Sequence, residues 1–151
     1  MIKEFGNIIL ITGDLGFGVL NEFIEKYPNN FINAGVAEQN MTGIAAGLAL
    51  EGKKVFTYSI ANFPTLRCLE QIRNDVCYHN LDVNIISIGG GFSYGPLGMT
   101  HHATEDIAVM RTLPNLQRVL LNTTGFIKHK ICTFEPKINS WDLWIVRDRW
   151  R

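Results

Sequence analysis

The sequence predicts an α/β domain in which helices cover both faces of one mainly parallel β-sheet. The chain of 151 residues has the length of one ordinary domain, which can bury a single compact core. Short apolar runs alternate with stretches of helical periodicity, and this alternation is typical of βαβ units. Since no repeat, low-complexity tract or linker divides the chain, we expect residues 1–151 to form a single domain.

Six short apolar runs are predicted to be strands. They are Ile8–Thr12, Asn30–Asn33, Val55–Ser59, Val83–Ile88, Arg118–Leu121 and Leu143–Arg147. Strands of a parallel sheet are buried on both faces, so they read as nearly continuous apolar runs. We therefore expect a sheet of roughly six strands at the centre of a three-layer sandwich.

Five stretches between these strands are predicted to be helices. They are Val19–Lys26, Ala37–Leu50, Thr65–Tyr78, Glu105–Arg111 and Thr124–Cys132. The second carries a row of small residues, Gly43, Ala46 and Gly47, which Leu50 extends at the spacing i, i+3, i+4, i+7. Such a row lets another backbone approach closely, and that packing would offset the low helix propensity of glycine. Either the protein's own sheet or a second subunit could pack against it.

A long irregular segment follows the fourth predicted strand. It runs from Gly89 to Thr104 and opens with three consecutive glycines. Loops of this length inside a compact domain are usually functional or disordered. Open α/β sheets bind their ligands at the carboxyl ends of the strands, where this segment begins. We therefore predict that it contributes to a ligand site, with plain disorder as the alternative.

Charge and cysteine usage argue against several classes of function. The chain has 14 basic and 14 acidic residues, so its composition gives no sign of a nucleic-acid partner or an anionic membrane. Cys68, Cys77 and Cys132 lack the short paired spacing of a zinc site, and we expect reduced, buried thiols. The adjacent His101 and His102 point in different directions and form a poor metal pair. No apolar run is long enough to cross a bilayer, so we expect a cytoplasmic protein.

One segment combines a strand end, a glycine turn and a helix start that carries a carboxylate. It runs from Asn33 to Met41 with the sequence NAGVAEQNM, and the carboxylate belongs to Glu38. A glutamate in the first turn of a helix ordinarily caps backbone N–H groups or complements the helix dipole. On pattern alone, that interpretation stands beside a catalytic one.

Four ordered blocks of the sequence resemble the pyrimidine-binding domain of transketolases. The first is GVAEQNM at residues 35–41, which is similar to the family's Gly-x-Ala-Glu-Gln-Asn-Met segment. The others are YSIANF at 58–63, followed by Arg67 and EQIR at 70–73, then GMTHHATED at 98–106 and MRTLPN at 110–115. The resemblance covers about Phe31 to Asn115, and it implies the thiamine-diphosphate-binding fold of the pyrimidine type.

The resemblance implies roles for five residues. Glu38 matches the glutamate that hydrogen-bonds N1′ of the aminopyrimidine of thiamine diphosphate and so promotes deprotonation of the thiazolium carbon. Phe63 matches the aromatic residue that stacks on the pyrimidine, and Ile60 stands where many relatives have another aromatic residue. Asp14 resembles an acid that lies near the cofactor. His101 matches a histidine that contacts substrate oxygens, and imidazoles exchange protons near neutral pH.

Each of these roles has an ordinary structural alternative, and the chain departs from the family at two points. Asp14 could cap a helix, Phe63 could be a core residue, and His101 could be a surface histidine in a mobile loop. Gly89 stands where a further substrate histidine is expected, and Leu97 replaces an acidic residue. These two departures weaken the expectation of the usual phosphorylated ketose donor.

The resemblance also implies what the chain needs from elsewhere. Relatives hold the diphosphate and Mg²⁺ on a separate domain through a Gly-Asp-Gly motif, and the sequence Gly13-Asp14-Leu15 is only a near match. The family's third, carboxy-terminal domain has no counterpart in the sequence. We therefore predict the pyrimidine-binding subunit of a split transketolase-like enzyme.

That subunit would form a homodimer core within an α₂β₂ heterotetramer, whose other subunit holds diphosphate and Mg²⁺. The reaction would transfer a two-carbon or acyl unit from a ketose or 2-keto substrate, with thiamine diphosphate as the cofactor. The alternatives are a non-catalytic assembly or regulatory subunit that retains the fold, and a fragment of a longer enzyme.

Overall fold

The described part of the chain forms one β-sheet with helices on its faces. A computed structural model describes the backbone of residues 6–122 and 140–146, and the side chains of residues 6–117. The strands are β1 Ile8–Thr12, β2 Phe31–Asn33, β3 Lys54–Ile60, β4 Val83–Ile88, β5 Leu116–Asn122 and β6 Ser140–Val146. The helices are α1 Asn21–Lys26, α2 Glu38–Leu50, α3 Leu69–Gln71 and α4 Asp106–Met110, and α3 continues as a π-helical stretch, Ile72–Cys77.

The strands lie in the order β2-β1-β3-β4-β6-β5. The first four, β1 to β4, are mutually parallel, whereas β6 is antiparallel to both β4 and β5. The predicted α/β class with a mainly parallel sheet is confirmed. In the part of the chain that is described, no helix has the length and apolar character needed to span a membrane.

Most predicted element bounds lie within one or two residues of the structure, and the third helix is the main exception. Helix was predicted from Thr65, but α3 begins at Leu69. The Thr65 hydroxyl donates to the Ala61 carbonyl at 2.6 Å, and this bond helps to hold residues 61–68 in turns. The predicted helix Thr124–Cys132 lies outside the described residues.

Two hydrophobic clusters attach the helices to opposite faces of the sheet. Successive side chains of a strand point to opposite faces, so Val55 lies in one cluster and Tyr58 in the other. Met41 and Ile72 pack in the first cluster, and Leu20 packs in the second. Each fully buried side chain of this size contributes about 1.5–3 kcal/mol. The sheet is therefore fixed from both faces, and its carboxyl edge is a firm platform for a site.

The two glycines in the row of small residues on α2 face outward, whereas Ala46 faces the core. Gly43 and Gly47 are exposed, and no atom of the described residues lies within 4 Å of a Cβ added at either position. Ala46 is buried in the first cluster, whereas Leu50 is 63% exposed. The interpretation that the two glycines pack against the protein's own sheet is therefore wrong for the described residues. Contact of this face with a second subunit stays a prediction.

Two of the three cysteines are buried free thiols. Cys68 and Cys77 are both fully buried and unbridged, as the sequence predicted, whereas Cys132 lies outside the described residues. Burial disfavours the thiolate and raises the pKa of each thiol from 9.0 to about 11. Both are therefore neutral core side chains rather than reactive groups.

Cys68 and Cys77 are expected to react slowly with iodoacetamide in the folded chain at about pH 8. Since the thiolate is the reactive form, the raised pKa lowers its fraction about 100-fold, and burial slows the reaction further. Mass spectrometry of labelled peptides distinguishes these thiols from Cys132, and labelling in denaturant supplies the unprotected rate. Rapid labelling of Cys68 in the folded chain would contradict the structure.

The same pKa shift makes the folded chain less stable in alkali. An unfolded thiol ionises at 9.0 and the folded one at about 11. The stabilisation from the neutral thiols is therefore complete below pH 9 and is lost as the pH rises through 11. Denaturant titrations across this range, compared with a Cys68→Ala variant, measure the effect, and an identical pH profile for the two proteins would exclude a contribution from Cys68.

Candidate active site

The carboxyl edge of the sheet gathers most of the predicted site residues. β1, β3 and β4 are neighbours and run in the same direction. Asp14 follows β1, Phe63 follows β3 and Gly89 follows β4, while Glu38 opens α2 after β2. Parallel strands end at one edge, and ligand sites of open α/β sheets lie there.

Glu38 carries a buried carboxylate at the start of α2. The residue is 2% exposed, and it follows Ala37, the N-cap position, where the described residues provide no side-chain cap. A Cβ at position 13 would lie 3.4 Å from both Cγ and Oε1 of Glu38. Because Gly13 has no side chain, the carboxylate lies directly against the end of β1.

Arg67 connects this carboxylate to Phe63. Its Nη1 donates to Glu38 Oε2 at 2.8 Å, and the guanidinium carbon lies 4.3 Å from the centroid of the Phe63 ring. The second contact is a cation–π interaction, in which the negative face of the ring attracts the cation. The Arg67 side chain is 46% exposed, whereas that of Glu38 is 1% exposed. Arg67 belongs to a family-like block, but its contact with Glu38 was not predicted.

His101 lies on the other side of Phe63. The two ring centroids are 5.1 Å apart in an edge-on arrangement, and the Tyr94 ring lies 6.3 Å from His101. Thr100 Oγ1 and His101 Nδ1 are hydrogen-bonded at 3.0 Å, with the donor set by the tautomer. Burial raises the pKa of the Tyr94 phenol, which stays a neutral hydroxyl group at physiological pH. The structure therefore brings Glu38, Phe63 and His101 together.

The long segment after β4 is folded, and its disorder is excluded as an interpretation. Gly91 and Ala103 exchange two backbone hydrogen bonds of 2.9 Å, which close the segment on itself. Asn62 Nδ2 donates to the Thr100 carbonyl at 2.7 Å and links this segment to the turn after β3. Asn62 therefore positions the backbone beside His101.

Asn62→Ala is expected to loosen this segment without unfolding the chain. The lost hydrogen bond is exposed, so the cost in unfolding free energy is about 0.5–1.5 kcal/mol. Hydrogen exchange at residues 98–104 should rise relative to the same amides in wild type. Asn29→Ala, at an exposed asparagine after α1, is the control, and equal exchange in both variants would show that Asn62 does not hold the segment.

Asp14 is held at the end of β1 by Asn33. Asn33 Nδ2 donates to Asp14 Oδ1 at 2.8 Å, and the backbone N–H groups of Asp14 and Gly35 donate to Asn33 Oδ1 at 3.1 and 2.9 Å. Asp14 has a left-handed backbone with φ of 59°. The helix-cap interpretation is wrong, because α1 begins at Asn21 with Leu20 at its N-cap. Asn33, which ties β1 to β2, had no role assigned from the sequence.

Ile60 belongs to the hydrophobic core at the end of β3. Its half-buried side chain packs against the second cluster, which contains Tyr58 and Ile88. Its carbonyl accepts a 2.7 Å hydrogen bond from the Phe63 N–H, so it fixes the turn that carries the aromatic ring. A place for Ile60 in the wall of a cofactor site stays a prediction.

An open cavity lies at the start of α2. Its volume is about 380 Å³, and Val36, Ala37, Glu38, Gln39, Asn40 and Arg67 line it. Pockets of roughly 300–1,000 Å³ accommodate small organic ligands. Among the described residues, no three His, Cys, Asp or Glu side chains come together to hold a metal ion.

Comparison with known proteins identifies the family. A family model for the transketolase pyrimidine-binding domain matches residues 1–130. The chain belongs to this family. The family resemblance inferred from the sequence is thus confirmed.

Relatives of this transketolase domain include components of larger assemblies. The chain is 44% identical over 121 residues to an apulose-4-phosphate transketolase subunit of Phocaeicola vulgatus, covering 80% of this chain and 39% of that protein. It is 44% identical over 115 residues to a putative transketolase C-terminal section of Methanocaldococcus jannaschii, covering 76% and 36%. The chain spans about two fifths of the length of these curated relatives.

A solved structure with the same fold is a split gene transketolase in the form of an inactive beta4 tetramer. It superposes with a TM-score of 0.64 at 39% sequence identity, covering 75% of this chain and 36% of that one. At this identity the likeness extends beyond the fold and agrees with membership of the transketolase family.

Proposed function

We propose that this chain supplies the pyrimidine-binding half of a thiamine-diphosphate site in a split transketolase-like enzyme. The observation that carries the proposal is the buried carboxylate of Glu38, joined through Arg67 to the half-buried ring of Phe63. A carboxylate and an aromatic face that contact the same arginine fit a flat, nitrogen-containing ring. The carboxylate can hold a proton shared with a ring nitrogen, and the phenyl face can stack on the ring.

The residues of this chain would bind and orient the cofactor. Two of them, Glu38 and His101, would also exchange protons with the cofactor and the substrate. Thiamine diphosphate, when bound, supplies the nucleophilic carbon that carries a two-carbon or acyl unit. Glu38 would hold a proton at the pyrimidine nitrogen, where burial keeps water from competing for it. Phe63 and Ile60 would form the apolar walls, and Asp14 would lie near the cofactor. His101 would exchange a proton with substrate oxygens.

A partner subunit would hold the diphosphate and Mg²⁺. The names of the relatives support this division, because one is a transketolase subunit and another is a split gene transketolase. The outward face of α2, with Gly43 and Gly47, offers a surface for a homodimer core within an α₂β₂ complex. The substrate would be a ketose or 2-keto compound. The free thiols at Cys68 and Cys77 are in keeping with a cytoplasmic location.

Calorimetry with thiamine diphosphate and Mg²⁺ tests the proposal. The cofactor is titrated into the chain alone, into a diphosphate-binding transketolase subunit alone, and into their mixture. We expect strong uptake only in the mixture, because each chain provides half of the site. Full uptake by this chain alone would refute a shared site, and uptake in none of the samples would favour a non-catalytic assembly subunit.

A further inference from the structure

Arg67 contacts both groups that the proposed site would offer to an aminopyrimidine ring, the Glu38 carboxylate and the Phe63 ring. Its guanidinium hydrogen-bonds the Glu38 carboxylate at 2.8 Å and covers the Phe63 ring at 4.3 Å. We infer that Arg67 closes the ring site in the ligand-free chain and leaves it when the aminopyrimidine binds. This inference rests on the proposed function and adds a conformational step to it.

The burial of the carboxylate requires something to move. The Glu38 side chain is 1% exposed, so an incoming ring has no path to its oxygen atoms in this arrangement. On one side the carboxylate lies against the backbone of Gly13, which β1 holds in the sheet. On the other side lies Arg67, a long side chain that is 46% exposed and lines the cavity. Arg67 is thus the cover that can swing into solvent.

The guanidinium also resembles an aminopyrimidine in the contacts that it can make with Glu38 and Phe63. It is planar, it donates N–H groups to a carboxylate, and it stacks on aromatic faces. An aminopyrimidine presents the same combination of a flat face and polar edge. Exchange of one for the other leaves the buried carboxylate with a hydrogen-bond partner throughout, whereas the half-exposed arginine regains water. The exchange therefore avoids a buried charge without a partner.

Closure weakens the apparent affinity for the ring. If the open state has a population of roughly a tenth, the apparent dissociation constant rises about tenfold over that of the open site. Removal of the guanidinium is then expected to tighten binding. If Arg67 served only to hold the ligand, removal of its guanidinium would weaken binding instead.

Nuclear magnetic resonance of the full chain tests the closed state without a ligand. A side chain 4.3 Å above a ring should have Arg67 proton signals displaced by the ring current of Phe63. Phe63→Leu is expected to abolish that displacement, and the exposed Arg73 serves as the reference arginine. Arg67 signals at the position of an exposed arginine would overturn the inference even if every variant misfolded.

Titration with 4-amino-5-hydroxymethyl-2-methylpyrimidine tests the exchange. We expect this probe to bind Arg67→Ala about tenfold more tightly than wild type or Arg73→Ala, and to remove the ring-current displacement of Arg67 in wild type. Arg67→Lys should lie between, since it keeps the charge but not the planar fork. Equal or weaker binding by Arg67→Ala, or an undisturbed Arg67 signal in the bound state, would overturn the closure and leave the proposed function intact.

Glu38→Gln separates failure of the inference from failure of the proposed function. Probe binding that does not change in Glu38→Gln would mean that the ring does not use this carboxylate. That result would reject the proposed role of Glu38, and the closure with it. Weaker probe binding by Glu38→Gln together with tighter probe binding by Arg67→Ala supports both the proposed role of Glu38 and the closure by Arg67.

Discussion

Glu38→Gln is expected to lower turnover by about 100- to 10,000-fold in the enzyme reconstituted from this chain, a diphosphate-binding subunit, thiamine diphosphate and Mg²⁺. This range is associated with loss of one positioned proton-transfer group. Glutamine has nearly the same shape and keeps an oxygen that Arg67 can approach. It cannot, however, hold a transferable proton at the pyrimidine nitrogen. The loss should therefore appear in turnover, whereas the folded structure is preserved.

Two further measurements show whether the loss is chemical. Circular dichroism in denaturant should give an unfolding free energy no more than about 1.5–3 kcal/mol below wild type, because the charge-assisted hydrogen bond from Arg67 to the buried side chain becomes a weaker one. Glu22→Gln is the matched control, since Glu22 is an exposed glutamate paired with Lys26 on α1. Turnover of Glu38→Gln equal to that of Glu22→Gln would reject a catalytic role for Glu38.

Local patterns were sufficient to predict the start of α2 and the position of its carboxylate. The turn at Gly35 requires a left-handed backbone, with φ of 73°, and glycine adopts it at little cost. The helix begins three residues later, at Glu38. A turn and a helix start are both set by neighbours in sequence, so they could be read from consecutive residues.

Contacts between distant segments could not be read in this way. Glu38 and Arg67 are 29 residues apart, and their ion pair exists only because α2 and the turn after β3 meet at one edge of the sheet. The direction of β6 depends equally on its pairing with β4 and β5. An apolar run has the same pattern in either direction, so it indicates a strand without its orientation.

The outward glycine face of α2 shows a third limit. The spacing of Gly43, Ala46 and Gly47 predicts a close backbone approach, but not the partner that makes it. In the structure Ala46 faces the core, and both glycines face outward. Small residues suit the inside of a domain and a subunit interface equally well, so only the packing of the helix separates the two.

Gly89→Ala is expected to destabilise the chain by about 2–4 kcal/mol, which denaturant titration can measure. Gly89 follows β4 directly, and its φ of +76° is unfavourable for residues with a side chain. An added Cβ would lie 2.2 Å from Cε2 and 2.8 Å from Cδ2 of Tyr94. Alanine therefore strains the backbone and also forces the Tyr94 ring out of its position.

Gly91→Ala separates these two costs. Gly91 has a similar φ of +63°, but no described atom lies within 4 Å of a Cβ added there. We expect this variant to lose only about 1–2 kcal/mol, the cost of the left-handed backbone. An equal loss of unfolding free energy in Gly89→Ala and Gly91→Ala would show that the Tyr94 ring can move away from the added methyl group at no measurable cost.

A Tyr94→Ala background should make Gly89→Ala no more costly than Gly91→Ala, because the obstructing ring is gone. Gly89 and Tyr94 thus form one steric unit, and a histidine at position 89, which the family resemblance leads one to expect, would meet the same ring. At this point beside His101 the chain presents a phenol that burial keeps neutral. A phenol can donate a hydrogen bond but cannot carry the positive charge of an imidazolium, so position 94 does not replace the charge that a histidine at position 89 could supply.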